Sequence, residues 1–388
     1  MKNIYLDNGA TTFPKPQQVL DAMVNYITNI GGNVNRGSYE TSFAAENIVY
    51  ETRELLCELF NFDKPENVIF TNNITTSLNT VLKGYFKKGD HVIVSSMEHN
   101  AVMRPLNSLC KSGVTYSVVP CNNLGELNPC DIEPLIKDNT KALIMTHSSN
   151  VCGIILPYKE IGEICKKRNL TFIADTAQTA GCIPIDMKKM NIDILCFTGH
   201  KSLLGPQGIG GFIIKDELVK EVTPFIEGGT GSLSEQEIQP EYMPDKFESG
   251  TPNIPGIYGL NAALKYLKSI DIQNIQCHEL KLTKEFIGGI LSIDKVKVIG
   301  SLSCENRSSV VSLDFPDNDN GEISYLLSKN YGISTRCGLH CAPSAHKTLG
   351  TFPNGTVRFS FGPFNTSDHV KYTISSIKKV LSTINFNS

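Results

Sequence analysis

The stretch "DILCFTGHKSLLGPQGIGGFIIK", residues 193–215, decides the fold. It opens on an apolar run and closes on another, with only "HKSLLGPQGI" between them. A parallel pair of strands needs a crossover of a dozen or more residues, so this connection makes the second run antiparallel to the first. Lys201 follows the first run directly, which puts a cation at the mouth of what reads as a buried strand.

Upstream lie five more short runs rich in β-branched and apolar residues: "NVIFT" (67–71), "HVIVSS" (91–96), "TYSVVP" (115–120), "KALIMTHSS" (141–149) and "LTFIAD" (170–175). Segments with helical spacing separate most of them, such as "TTSLNTVLKGYF" (75–86) and "YKEIGEICKKRN" (158–169). Strands alternating with helices predict an α/β architecture: a seven-stranded, mostly parallel sheet with helices on both faces. After "NIPGIYGLNAALKYLKSI" (253–270) the order changes to helix, strand ("KVKVIG"), strand ("SSVVSLDF"), helix, strand ("VRFSFG") and a final helix, a smaller α+β unit. The division expected is an N-terminal arm over 1–20 packing with the small unit, a large unit over 21–256 and a small unit over 257–388.

Composition narrows the partners. The chain has 388 residues, 40% hydrophobic and 19% charged, enough for a large core. Its formal net charge of −3, with no dense Lys/Arg block, gives no attraction to nucleic acid or to an anionic membrane. The start "MKNIYLDNGATTFPKP" lacks an apolar export segment, so the expected location is the cytoplasm. Twelve cysteines in a long chain of this kind read mainly as small packing residues rather than as disulfides.

In open α/β sheets the ligand lies beyond the carboxyl ends of the strands. There the sequence places "NITTS" (73–77), Glu98-His99-Asn100, Asn150, "DTAQ" (175–178) and Thr198-Gly199-His200-Lys201. Each has a plain alternative: a loop histidine, a solvated lysine, an N-capping aspartate, a glycine turn. Together they suit one chemistry. A lysine amine of lowered pKa forms a Schiff base with an aldehyde, and pyridoxal phosphate also asks for an acid facing its ring nitrogen and a phosphate cradle at a helix start.

With these residues assembled, the chain resembles the cysteine desulfurases and selenocysteine lyases, within the class V aminotransferase group of pyridoxal-phosphate enzymes of fold type I. The resemblance runs from "YLDNGATT" through "MEHN", "SSNVCG", "DTAQ", "TGHKSLLGPQGIG" and "FESGTPN" to "TRCGLHCA" and "VRFSFGPFNT". It implies that Lys201 carries the cofactor, that Asp175 pairs with the ring nitrogen and that Gln178 reaches the ring hydroxyl oxygen. It further implies that His99 stacks on the ring and assists proton transfer, and that Asn150 borders the ring and the substrate. Thr75, Thr198 and His200 would hold the phosphate, and Thr251 would reach the phosphate of the other subunit in a homodimer. Arg358 would clamp the substrate carboxylate, with Arg336 nearby.

Cys341 matches the sulfur-accepting nucleophile; His340 precedes it and Arg336 stands five residues upstream, and cationic neighbours favour a thiolate. Cys337 departs from the pattern, but "CGLHCAPSAH" is not a standard zinc spacing, and no metal is expected. The activity implied is removal of sulfur from L-cysteine to give L-alanine and a persulfide on Cys341, with L-selenocysteine as a possible or preferred substrate and an acceptor protein for the chalcogen. The alternatives are a selenocysteine lyase proper, a class V aminotransferase or lyase acting on another amino acid, and a non-catalytic sulfur or selenium delivery scaffold.

Overall fold

The computed structural model describes residues 3–34, 37 and 39–387. Its strands are β1 (Ile4–Tyr5), β2 (Val68–Thr71), β3 (His91–Ser95), β4 (Thr115–Val119), β5 (Thr140–Thr146), β6 (Thr171–Asp175), β7 (Ile194–Thr198), β8 (Gly210–Ile214), β9 (Lys297–Ile299), β10 (Val310–Asp314), β11 (Ile333–Ser334), β12 (Arg336–Gly338) and β13 (Thr356–Ser360). The α-helices are α1 (Gln17–Asn25), α2 (Glu40–Phe60), α3 (Ile74–Tyr85), α4 (Asn100–Cys110), α5 (Tyr158–Arg168), α6 (Asp216–Val219), α7 (Ile254–Ile270), α8 (Ile272–Ile290), α9 (Asn320–Tyr331), α10 (Pro343–Thr348) and α11 (Ser367–Asn387). No helix among the described residues is long and apolar enough to cross a membrane.

Seven strands form one sheet in the order β2-β8-β7-β6-β5-β3-β4. All its pairings are parallel except those of β8, which runs antiparallel to β7 and β2, as the short 200–209 connection requires. Side chains alternate across a pleated strand, so each strand feeds two cores. Phe70, Leu143, Phe172, Leu195 and Ile213 point to the face covered by α2, α5 and α7. Ile69, Val92, Ile144, Ile173, Cys196 and Phe212 point to the face covered by α3 and α4.

A second sheet, β12-β13-β10-β9, carries its own core with α8, α9 and α11. Ile4 and Leu6 of the N-terminal arm are buried in that core. The expected 256/257 division falls inside α7, whose Ile257, Leu260 and Leu264 belong to the core of the large sheet; the small core takes up at Leu282. The cysteines divide more evenly than expected: five are buried, four partly buried and three exposed, and all twelve are free thiols.

Candidate active site

The carboxyl ends of β5, β6 and β7 open onto a cavity of about 570 Å³. Lys201 lines it from the turn after β7. That turn is tied at both ends: Gly199 N donates to Ile209 O at 2.9 Å and Leu204 N to Lys201 O at 2.8 Å. The N-terminal arm braces it from below. The His200 carbonyl accepts from Thr12 N at 3.1 Å, Thr11 Oγ1 at 3.0 Å and Lys15 Nζ at 2.6 Å, and Thr12 Oγ1 donates to Lys201 O at 3.0 Å. Burial, helped by the Arg358 guanidinium and opposed by the Asp175 carboxylate, brings the Lys201 amine down to about 8.

Asp175, the last residue of β6, is buried and lines the same cavity, its Oδ1 accepting from Ala177 N at 3.0 Å. Burial raises its pKa, while Lys201 opposes the rise. Gln178 lines the cavity and donates from Nε2 to Gly9 O at 3.0 Å. Beneath, the carboxyl of Glu98 accepts from Thr146 N at 3.0 Å and from the Ser95 hydroxyl, while its Oε2 has no partner among the described residues. Burial pushes it up to about 8, so it carries a proton at neutral pH.

Opposite Asp175 is the start of α3, where Asn73 caps the helix by accepting from Thr76 N at 3.0 Å. Gly210 lets β8 approach this cap, since a Cβ there would lie 2.9 Å from both Asn73 Cα and Phe197 O. Asn73, Thr75, Thr198 and His200 all line the cavity. Thr198 Oγ1 and His200 Nδ1 are buried without a hydrogen-bond partner among the described residues. Two orphaned polar atoms beside a helix N-terminus are what a phosphate dianion would satisfy, and the residues present therefore fit a phosphorylated aldehyde held at Lys201.

His99 caps α4, its Nδ1 accepting from Ala101 N at 3.0 Å. Burial, with Lys201, Arg336, Arg358 and Arg104 adding to it, lowers its pKa to about 4. The ring is neutral, and because Nδ1 accepts from the backbone the proton sits on Nε2.

Cys341 is exposed, on a loop pinned to the cavity wall. Asn150 Nδ2 donates to His340 O at 2.7 Å and Asn100 N donates to Cys341 O at 2.8 Å. His340 and Cys341 both adopt left-handed backbone, at φ 49° and 57°. Arg336 Nη2 lies 3.9 Å from Cys341 Sγ. Arg336 also stands opposite Arg358 in the antiparallel β12–β13 pair.

Arg358 is 1% exposed. Its Nη2 pairs with Asp7 Oδ1 at 2.7 Å, its Nη1 donates to Asn150 O at 3.1 Å and its Nε has no partner among the described residues. Gly9 makes room for it, because a Cβ there would lie 3.2 Å from the guanidinium carbon. Sequence reasoning missed Asp7 and Lys15; the first sits inside "YLDNGATT", but nothing in the spacing links it to an arginine 351 positions away.

Of the residues singled out from the sequence, the structure gathers Lys201, Asp175, Gln178, His99, Asn150, Thr75, Thr198 and His200 around one cavity. Cys341, Arg336 and Arg358 are joined to it through the contacts above. Thr251 is not brought in; it lines a separate hollow with Asn72, Thr76 and Phe225. Cys337 is half-buried on β12, where burial raises its thiol pKa.

Comparison with known proteins places this geometry. A probable cysteine desulfurase of Methanothermobacter thermautotrophicus is 33% identical over 382 residues, spanning 97% of this chain and 94% of its own. One from Pyrococcus abyssi is 33% identical over 389 residues, spanning 98% and 95%. The apo cysteine desulfurase of Thermococcus onnurineus NA1 superposes with a TM-score of 0.92 at 32% identity, covering 98% of this chain and 95% of that one. The S-sulfonic acid form of the cysteine desulfurase CsdA from Escherichia coli gives 0.88 at 28% identity, covering 98% and 95%. The sequence model of the aminotransferase class-V family matches residues 4–373, and with the lysine turn, the buried aspartate and the helix-start cradle all on that scaffold, the chain belongs to this family.

Proposed function

We propose that the chain is a pyridoxal-phosphate-dependent cysteine desulfurase that converts L-cysteine to L-alanine and leaves the sulfur as a persulfide on Cys341. One observation carries the reading: an amine lowered to about 8 shares a cavity with a buried carboxylate and two partnerless phosphate-type donors, and an exposed thiol stands at its margin. Lys201 would hold the cofactor, Asp175 would face its ring nitrogen, Gln178 its hydroxyl oxygen and His99 its flat side. Thr75, Thr198 and His200 would take the phosphate. When bound, pyridoxal phosphate supplies an electron sink that acidifies the substrate Cα–H and makes the substrate sulfur electrophilic.

The chain's own residues do the rest. Arg358, already oriented by Asp7 and the Asn150 carbonyl, presents a planar cation to the substrate carboxylate, with Asn150 beside it. Lys201, poised near neutrality, takes the Cα proton and returns one. Neutral His99, its lone pair used by Ala101 N–H, stacks and offers only its Nε2–H; a base role would require release of the α4 cap. The Cys341 thiolate attacks the substrate sulfur, so that an S–S bond forms as the C–S bond breaks. The electron pair of the C–S bond remains with carbon, which a proton completes as the methyl of alanine.

A homodimer belongs to this proposal. Thr251, outside the Lys201 cavity of its own chain, would then serve a second copy, and the exposed Leu20 and Val24 of α1 and Phe43 and Tyr50 of α2 supply apolar surface for pairing.

Alanine release from L-cysteine and from L-selenocysteine, measured with the wild type and Cys341→Ala, tests the reading. The variant should lose cysteine turnover; full activity on cysteine would exclude the persulfide role. Loss of selenocysteine turnover in the same variant would extend that role to selenium. A keto acid in place of alanine would make the protein an aminotransferase.

A further inference from the structure

The Cys341 loop is tied to the Lys201 cavity through Asn150, but the thiol itself lines a different chamber. This second chamber, of about 360 Å³, adjoins the first across Thr75, His99 and Ala101 and runs out between α3 and α4. Its outer walls carry Lys83 and Arg104, both exposed. Neither makes an ion pair among the described residues; Lys83 Nζ rests 4.8 Å from the centre of the Phe225 ring. Among the described residues no Asp or Glu lines the chamber. Arg336, 3.9 Å from the thiol, adds a third cation at its inner end. The thiol thus lines a compartment whose charged side chains are all cations, suited to an anion, next to a cavity whose buried carboxylate and amine suit an amino acid.

From this charge distribution, and resting on the desulfurase reading, we infer that the second chamber seats the sulfur acceptor and that the acceptor is a small anionic thiol, bearing a carboxylate or sulfonate that Arg104 and Lys83 receive. The volume lies at the small-ligand end of the range for binding pockets. The transfer balances without an external oxidant. The acceptor thiolate attacks the outer sulfur of the Cys341 persulfide and a new S–S bond forms. The bond to Cys341 Sγ breaks, and its electron pair returns to Cys341 as a thiolate.

Two measurements test this. In the first, the protein is alkylated without substrate by iodoacetate and by iodoacetamide, which differ in charge, and each site is followed by peptide mass spectrometry. Cys130 and Cys277, the other exposed thiols, serve as internal references. The iodoacetate-to-iodoacetamide rate ratio at Cys341 should exceed theirs by at least about threefold and fall toward theirs in high salt and in a Lys83→Gln/Arg104→Gln double variant. A ratio equal to the references, or unmoved by the double variant, overturns the inference, and this arm is independent of whether cysteine is the substrate. In the second, the Cys341 persulfide is discharged by 2-mercaptoethanesulfonate or by 2-mercaptoethanol. The double variant should slow the first by about the same factor and spare the second. Equal slowing of both, or discharge to neither, which would assign the acceptor role to a protein, also overturns it.

Discussion

At the scale of single residues, the site is organised by what burial does to charge. Lys201 and Arg358 are cations faced by carboxylates from distant parts of the chain, Asp175 from its middle and Asp7 from its start. For Lys201 the outcome is an amine that becomes nucleophilic near pH 8, well below the 10.5 of a free lysine. Capture of pyridoxal phosphate by cofactor-free protein should therefore accelerate as pH rises through about 8 and level off above it, followed by visible absorption that Lys201→Ala lacks. A free-lysine profile, still climbing toward 10.5, would contradict this environment. For Arg358, Asp7→Ala leaves a buried guanidinium with only a carbonyl to face, and should cost about 3 kcal/mol in denaturant unfolding. Lys201, Asp175 and His99 are legible in the sequence because each stands at, or a few residues beyond, the carboxyl end of an apolar run. Asp7 is not, because only the folded chain brings it to residue 358.

At the scale of elements, the seven strands of the large sheet and the reversal of β8 could be read from apolar runs and the length of one connection. The three-residue strand β12 and the short helix α10 could not. "RCG" has no apolar period, and it is a strand only because β13 offers an edge to pair with. The position of α3 depends on a similar accommodation, since Gly210 gives Asn73 its room. Gly210→Ala must move either the cap or β8. Because the cap borders the proposed phosphate site, the expected loss is in cofactor affinity, about tenfold or more by equilibrium titration, with the fold retained as judged by circular dichroism. Unchanged affinity would mean that the helix start does not contribute to binding.

At the scale of the whole molecule, buried ionisable groups set the pH range of stability. Glu98 and Glu279 are both pushed up to about 8, chiefly by burial, and Glu279 accepts from Ser309 Oγ at 2.9 Å between α8 and the small sheet. A carboxyl with a raised folded pKa stabilises fully below its unfolded value near 4.5 and loses that contribution as pH rises toward 8. His99, His147, His200 and His346 are lowered to between about 3 and 4, so they cost stability as pH falls below 6.5. The melting temperature should therefore peak at about pH 6.5. Each glutamate should account for about 2 kcal/mol of the decline between there and pH 8. Glu279→Gln should flatten that decline; a variant falling as steeply as the wild type would show that Glu279 is ionised in the folded protein. None of this is legible in the sequence, since neither glutamate stands in a pattern that forecasts burial.

The pairing of Arg336 with Arg358 has a consequence for substrate length. The two are rungs of one ladder: under the proposed function Arg358 would grip the carboxyl end of a bound amino acid, while Arg336 stands beside the thiol that would receive the sulfur. Strand registry thus works as a gauge of fixed span. Homocysteine, longer by one methylene, would overshoot the thiol and should be rejected at the chemical step even where it binds.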